Sequence, residues 1–152
     1  MARLLKDQGV SIGRALVVED HEPFRKLLCV KLKNNWEFGR IFEASDGFDA
    51  VQRAHELQPD LILLDVGLPT LSGIQAAQQI RKLSQKSKVL FVSLESSDDI
   101  VQEAFRSGAL GYIIKSNISK DLLDAVDAVL RGEQFLGTGL NTLLKSPRVP
   151  GV

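Results

Sequence analysis

A single cysteine in 152 residues leaves no partner for an intramolecular disulfide. Cys29 stands in an apolar stretch with Leu27, Leu28 and Val30, so it reads as a small buried hydrophobe of the kind found in a reducing cytoplasm. Charge of one sign is also missing: 19 basic residues balance 19 acidic ones, for a formal net charge of +0. A chain whose main work is to neutralise nucleic-acid phosphates or to lie on an anionic membrane needs a basic excess, so neither class is expected. Long hydrophobic runs are absent as well. The longest uninterrupted apolar stretch has four residues, against roughly 20 for a membrane-spanning helix. Lys6, Asp7 and Gln8 interrupt any signal-peptide core near the start. The expectation is a cytoplasmic protein, neither exported nor inserted. No repeat or low-complexity tract is present. What remains, 44% hydrophobic and 25% charged residues, is the composition of an ordinary globular domain.

The short apolar runs that do occur are informative. Ala15 to Val18, Leu61 to Leu64, Val89 to Val92 and Tyr112 to Ile114 are compact, rich in aliphatic residues and bounded by polar ones, which predicts buried strands. A strand apolar at every position must be covered on both faces, the mark of a parallel sheet between helices. Helical spacing follows each run. Phe24, Leu27, Leu28 and Leu32 fall on one stripe behind Pro23, with Asn34-Asn35 as the exit. Ile100, Val101, Ala104 and Phe105 follow candidate caps at Ser96, Ser97 and Asp98, and Gly108 stops them. Ser119 is the expected cap of a last helix that carries Leu122, Leu123, Val126, Val129 and Leu130 and ends at Gly132. A further strand around Arg40 to Ala44 and a helix from about Phe48 to Leu57 complete five βα units. Right-handed crossovers favour a doubly wound α/β fold, a five-stranded parallel sheet of order 2-1-3-4-5. Beyond Gly132, glycines and prolines break every period, so the end reads as a linker or tail.

In an open parallel sheet all carboxyl ends lie on one edge, and ligands bind there. The residues immediately after the apolar runs are Glu19-Asp20, Asp65, Ser93 and Lys115. Three carboxylates crowded on one rim repel one another unless compensated. Three negative charges against the one positive charge of Lys115 leave an excess of two, the charge of a divalent cation, and few hard carboxylate oxygens suit Mg²⁺.

The segments LVVEDHEPFR, PDLILLDVGLPTLSG, VLFVSLESSDD and GYIIKS, in this order and spacing, resemble the receiver domain of two-component response regulators, and the likeness covers about residues 12 to 136. Residues 1–11 are then an extension and 137–152 a linker or tail. The resemblance implies that Asp65 accepts a phosphoryl group from a histidine kinase or phosphotransfer protein. It also implies that Asp20, Asp65 and the carbonyl of Gly67 bind Mg²⁺, with Glu19 acting on the metal through water. Ser93 and Lys115 would hold the phosphoryl oxygens, and Tyr112 would be the aromatic that changes rotamer on activation. Such a domain is a switch and not a turnover enzyme, and self-association on phosphorylation is an expected response. A carboxylate attacking phosphohistidine needs its own charge offset, which independently favours a cation and an ammonium beside Asp65. Leu94 and Ser116 depart from the commoner pattern, which has a small residue after the hydroxyl and a proline after the lysine. The Lys115-Ser116 pair and the ending RGEQFLG resemble the subfamily with a LuxR-type helix-turn-helix output. That output is not expected within these residues, nor is DNA binding by them.

Two other classes share parts of this pattern. A phosphatase of the haloacid-dehalogenase type also uses a strand-end aspartate with Mg²⁺, but resembles its relatives in carrying a second aspartate two residues on, where this chain has Gly67. A nucleotide- or flavin-binding domain would place a GxGxxG or GxxxxGK[ST] loop after the first strand, and none follows Val18. His21 is expected to begin the first helix facing solvent, His55 to be a surface residue, and Trp36 to pack behind the first helix.

Overall fold

The computed structural model describes residues 11–141. The sequence-predicted extension and the end of the tail, residues 1–10 and 142–152, lie outside the described residues. Five strands follow the predicted runs: β1 (Arg14–Val18), β2 (Arg40–Ala44), β3 (Leu61–Leu64), β4 (Lys88–Ser93) and β5 (Gly111–Ile114). Five helices alternate with them: α1 (Glu22–Asn35), α2 (Gly47–Leu57), α3 (Gly73–Leu83), α4 (Asp98–Arg106) and α5 (Ile118–Leu130). The order β2-β1-β3-β4-β5 is as expected, and every pairing is parallel.

One correction concerns the sheet. It has six strands and not five, because Phe135–Leu136 form β6, parallel to β5. A two-residue strand between Gly132 and Gly137 has no period to read. It forms because the Phe135 and Gly137 N–H groups find the Leu110 and Tyr112 carbonyls, at 2.9 and 2.8 Å, along the open edge of β5.

Strand side chains alternate between two apolar layers, as a period of two requires. Leu16, Val18, Ile62, Leu64 and Phe91 pack with α2, α3 and α4 through residues such as Ala54, Ala76, Ile80 and Val101. Ala15, Val17, Leu61, Leu63, Leu90 and Val92 pack with α1 and α5 through Leu28, Leu32, Leu122 and Val126. Trp36 closes the second layer, and its indole N–H donates to Asp127 at 3.1 Å, so this buried donor is satisfied. Cys29 is only half-buried; burial still pushes its thiol up to about 11, which leaves it protonated and unreactive near neutral pH. No helix among the described residues is long and apolar enough to cross a membrane.

One of two expectations about helix starts holds and the other does not. His21 precedes α1 as its N-cap, with Nδ1 accepting from the Phe24 N–H at 3.4 Å. Histidine is not among the preferred capping residues, so sequence preference does not single it out. Ser119 does not cap α5: a 3₁₀ turn at Lys115–Asn117 leads directly into Ile118, and Ser119 lies inside the helix. Ser72 and Gln75 form a reciprocal capping box that fixes the start of α3.

Gly73, the first residue of α3, lies so close to β3's exit that a β-carbon there would run into the Asp65 carbonyl and its carbon. Its N–H donates to Val66 at 2.7 Å. Overpacking that the surroundings cannot absorb costs about 1–3 kcal/mol. Gly73→Ala is accordingly expected to lower unfolding free energy by that amount in urea titrations; an unchanged midpoint would contradict the close packing under Asp65.

The carboxylate and lysine site at the edge of the sheet

All five strand-end residues singled out from the sequence meet at one edge. Glu19 and Asp20 leave β1, Asp65 leaves β3, Ser93 ends β4 and Lys115 leaves β5; together they line a cleft of about 640 Å³. Gly67 lines the same cleft. One carboxylate oxygen from each of Glu19, Asp20 and Asp65 lies within 4.8 Å of the others. Glu19 and Asp65 are buried, at 1% and 7% exposure, whereas Asp20 is open to solvent.

Lys115 holds the cluster together. Its ammonium is 3.1 Å from Asp65 Oδ2 and 2.7 Å from Glu19 Oε1. Burial opposes the ammonium's charge, but the bonds to Glu19 and Asp65 outweigh it and keep the lysine protonated above its ordinary value. Burial also pushes the Glu19 carboxyl above its usual range, in spite of Lys115 and the His21 N–H that donates to Oε2 at 2.9 Å. Glu19 Oε1 is paired with the Lys115 ammonium at 2.7 Å. Three carboxylates with one lysine fit a small hard divalent cation, which would complete the compensation that one ammonium leaves unfinished.

The loops around this core are tied down by polar contacts. The Gly67 N–H points to Asp65 Oδ1 at 3.4 Å. The Ser93 hydroxyl oxygen accepts from the Glu95 N–H at 3.1 Å, and the buried Tyr112 hydroxyl donates to the Glu95 carbonyl at 2.8 Å. Burial raises the Tyr112 phenol to about 12, so it remains a neutral donor.

Three features were not foreseen from the residues. The Phe24 ring lies 5.0 Å below the Lys115 ammonium, an attractive cation–π arrangement at the cleft's lip; its helical spacing reads only as core. Glu95 contributes its backbone to Tyr112 and Ser93, which no side-chain type signals. Arg25 donates from Nη1 to the Glu19 carbonyl at 2.9 Å and from Nε to Glu43 at 2.7 Å, tying α1 and β2 to the acidic turn. Leu94 lines the cleft but is 73% exposed, on its rim. The Lys115-Ser116 peptide is trans.

An open, doubly wound parallel sheet gathers carboxylates, a hydroxyl and an ammonium at its carboxyl edge, the place where ligands of such sheets bind. The chain belongs to the response regulator receiver domain family, whose profile matches residues 15–127. It is similar to the transcriptional regulatory protein YdfI of Bacillus subtilis, with 33% identity over 82% of this chain and 58% of that protein. It is likewise similar to the response regulator protein VraR of Staphylococcus aureus, with 36% identity over 79% of this chain and 57% of that one. The chain thus spans less than three-fifths of these relatives' length. Among solved structures, a LuxR-family two-component response regulator from Aurantimonas sp. SI85-9A1 superposes with a TM-score of 0.80 at 26% identity, covering 90% of this chain and 98% of that one. The signal receiver domain of the putative regulator NarL from Mycobacterium tuberculosis gives 0.69 at 29% identity, covering 79% and 97%.

The Arg25 anchor has a testable pH signature. The hydrogen bonds from Arg25 and Lys26 hold the Glu43 carboxyl below its usual range. A carboxyl depressed by folding contributes stability above its unfolded value and loses it as pH falls through its folded value. Glu43→Gln is expected to cost ~1 kcal/mol near pH 7, a discounted figure because Lys26 is solvent-exposed, with parent and variant converging below about pH 4. Melting curves at several pH values check this; a constant gap down to pH 3 would exclude it.

Proposed function

We propose that this chain is a phosphorylation-dependent switch that accepts a phosphoryl group on Asp65 from a histidine kinase or phosphotransfer protein. The observation that carries the reading is the Lys115 ammonium 3.1 Å from Asp65 Oδ2, in a cleft with two further carboxylates. One Asp65 carboxylate oxygen attacks the phosphorus of a phosphoimidazole. The P–O bond forms as the P–N bond breaks, and the imidazole leaves with the electron pair and takes a proton. Lys115, already protonated, neutralises charge on the nucleophile before transfer and on the phosphoryl oxygens after it. Ser93 offers a hydroxyl to the same oxygens, and Tyr112 with Ser93 forms the switch.

Asp20, Asp65 and the Gly67 carbonyl are the proposed Mg²⁺ ligands, with Glu19 acting through water. Bound there, the metal would supply positive charge next to the phosphoryl oxygens. We place the receiver unit in residues 12–136, flanked by an extension at 1–11 and a linker at 137–152. A LuxR-type DNA-binding output, or a partner, lies outside these residues in this reading, which the names and greater length of the relatives support. The protein works in the cytoplasm, binds neither membrane nor DNA through these residues, and changes its self-association when phosphorylated. It catalyses only its own phosphorylation and dephosphorylation.

Asp65→Asn is expected to abolish incorporation of label from an acyl phosphate, because an amide is a poor nucleophile and a poor metal ligand. Its melting temperature should not fall, since a carboxylate leaves a repulsive cluster. Undiminished labelling would overturn the assignment.

Mg²⁺ is expected to raise the melting temperature of the unphosphorylated protein by linkage, worth about 2.7 kcal/mol at a hundredfold excess over Kd. Asp20→Ala should remove most of the shift. Identical scans of the parent with and without Mg²⁺ would refute the metal site.

A further inference from the structure

Residues 135–141 return from α5 along the outer edge of the sheet and are held there by contacts outside the cleft. Beyond the two backbone bonds of β6, Thr138 is gripped by side chains on each of its polar groups. The Asp121 carboxylate, only 5% exposed in the first turn of α5, accepts from the Thr138 N–H at 2.7 Å through Oδ2 and from its hydroxyl at 2.9 Å through Oδ1. The Asn117 amide donates to the Thr138 carbonyl at 3.1 Å. Charge-assisted bonds of this kind are stronger than neutral ones, and here both carboxylate oxygens serve one residue. Gly137 makes the approach possible, because a β-carbon there would lie 3.0 Å from both Ile113 Cα and the Tyr112 carbonyl oxygen.

The segment also connects to the cleft. Leu136 is in register with Tyr112, and Leu136 and Leu140 pack on the apolar layer that contains the Tyr112 ring. The Gly137 N–H bonds to the Tyr112 carbonyl, the Tyr112 hydroxyl to the Glu95 carbonyl, and the Glu95 N–H to the Ser93 hydroxyl. A continuous set of contacts therefore runs from Asp121 to the hydroxyl that lines the Asp65 cleft.

We propose that residues 135–141 form a strap, caught by Asp121, that holds Tyr112 and the Ser93 loop in place, so that docking of the strap and phosphoryl transfer to Asp65 are coupled. The inference rests on the reading of Asp65 as the acceptor. Ordering the Ser93 loop preorganises a phosphoryl ligand, so a docked strap speeds transfer. The loop geometry that a docked strap favours is also the one that holds the phosphoryl oxygens, and coupling of equilibria is reciprocal, so a phosphoryl group on Asp65 tightens the strap.

The test follows the full chain by hydrogen exchange at the Phe135 and Gly137 amides and by the rate of label uptake from acetyl phosphate. Asp121→Ala is expected to speed exchange at both amides tenfold or more and to slow labelling several-fold. Tyr112→Phe, which cuts the link beyond the strap, should slow labelling while leaving that exchange at the parental rate. In the parent, labelling should slow exchange at both amides. If Asp121→Ala does not fold, Thr138→Val, which removes only the hydroxyl bond, should give a smaller paired change in the same directions. Faster exchange with labelling unchanged, or exchange unaffected by loss of Asp121, would overturn the strap. A parent that takes up no label would instead bring down the acceptor reading itself.

Discussion

Three carboxylates that approach within 4.8 Å of one another, two of them buried, cannot all carry charge on a folded protein unless positive charge is brought to them. Lys115 answers part of that demand from the end of a different strand, reaching both Glu19 and Asp65 and so joining the ends of β1, β3 and β5. The compensation is incomplete: one ammonium against three carboxylates leaves two negative charges. In the proposed reading, a divalent cation and the oxygens of a phosphoryl group brought in with it complete that compensation. The same imbalance costs stability while the site is empty of cations, which is a common consequence of gathering function on one rim.

The parallel sheet is what makes the gathering possible. Residues far apart in the chain, such as Glu19 and Lys115, become neighbours because every strand runs the same way and ends on the same edge. The helices contribute tethers. Arg25 on α1 ties the Glu19 backbone to β2, Gly73 lets α3 start against the Asp65 carbonyl, and Phe24 places a ring under the Lys115 ammonium. Placement by packed elements is what the proposed transfer, driven by positioning, requires.

The parts of this arrangement legible in the sequence are those set by hydrophobic periodicity. Runs such as Leu61 to Leu64 declare buried strands by having no polar face, and the polar residue that ends each run falls at the sheet edge by geometry alone. Asp65, Ser93 and Lys115 come together for that reason. Features set by single backbone contacts were not legible. β6 exists through two hydrogen bonds to an open edge, His21 caps α1 without belonging to the residues that favour caps, and Ser119 loses the role of cap because a 3₁₀ turn starts the chain into α5 two residues earlier than its type suggests. Phe24 shows the limit of periodicity from the other side: its place on the apolar stripe is real, yet its ring also meets a cation.

The segment after α5 shows why such backbone contacts matter for function. A tail rich in glycine has little intrinsic preference for any conformation, so the position of residues 135–141 is decided almost wholly by what they touch. They touch Asp121 and the edge strand that carries Tyr112. In the proposed strap, those contacts hold the segment docked, and changes at them set how readily it opens. Residues 135–141 thus connect α5 and the edge strand that carries Tyr112, and in the proposed coupling a change in the Ser93 loop reaches them through Tyr112.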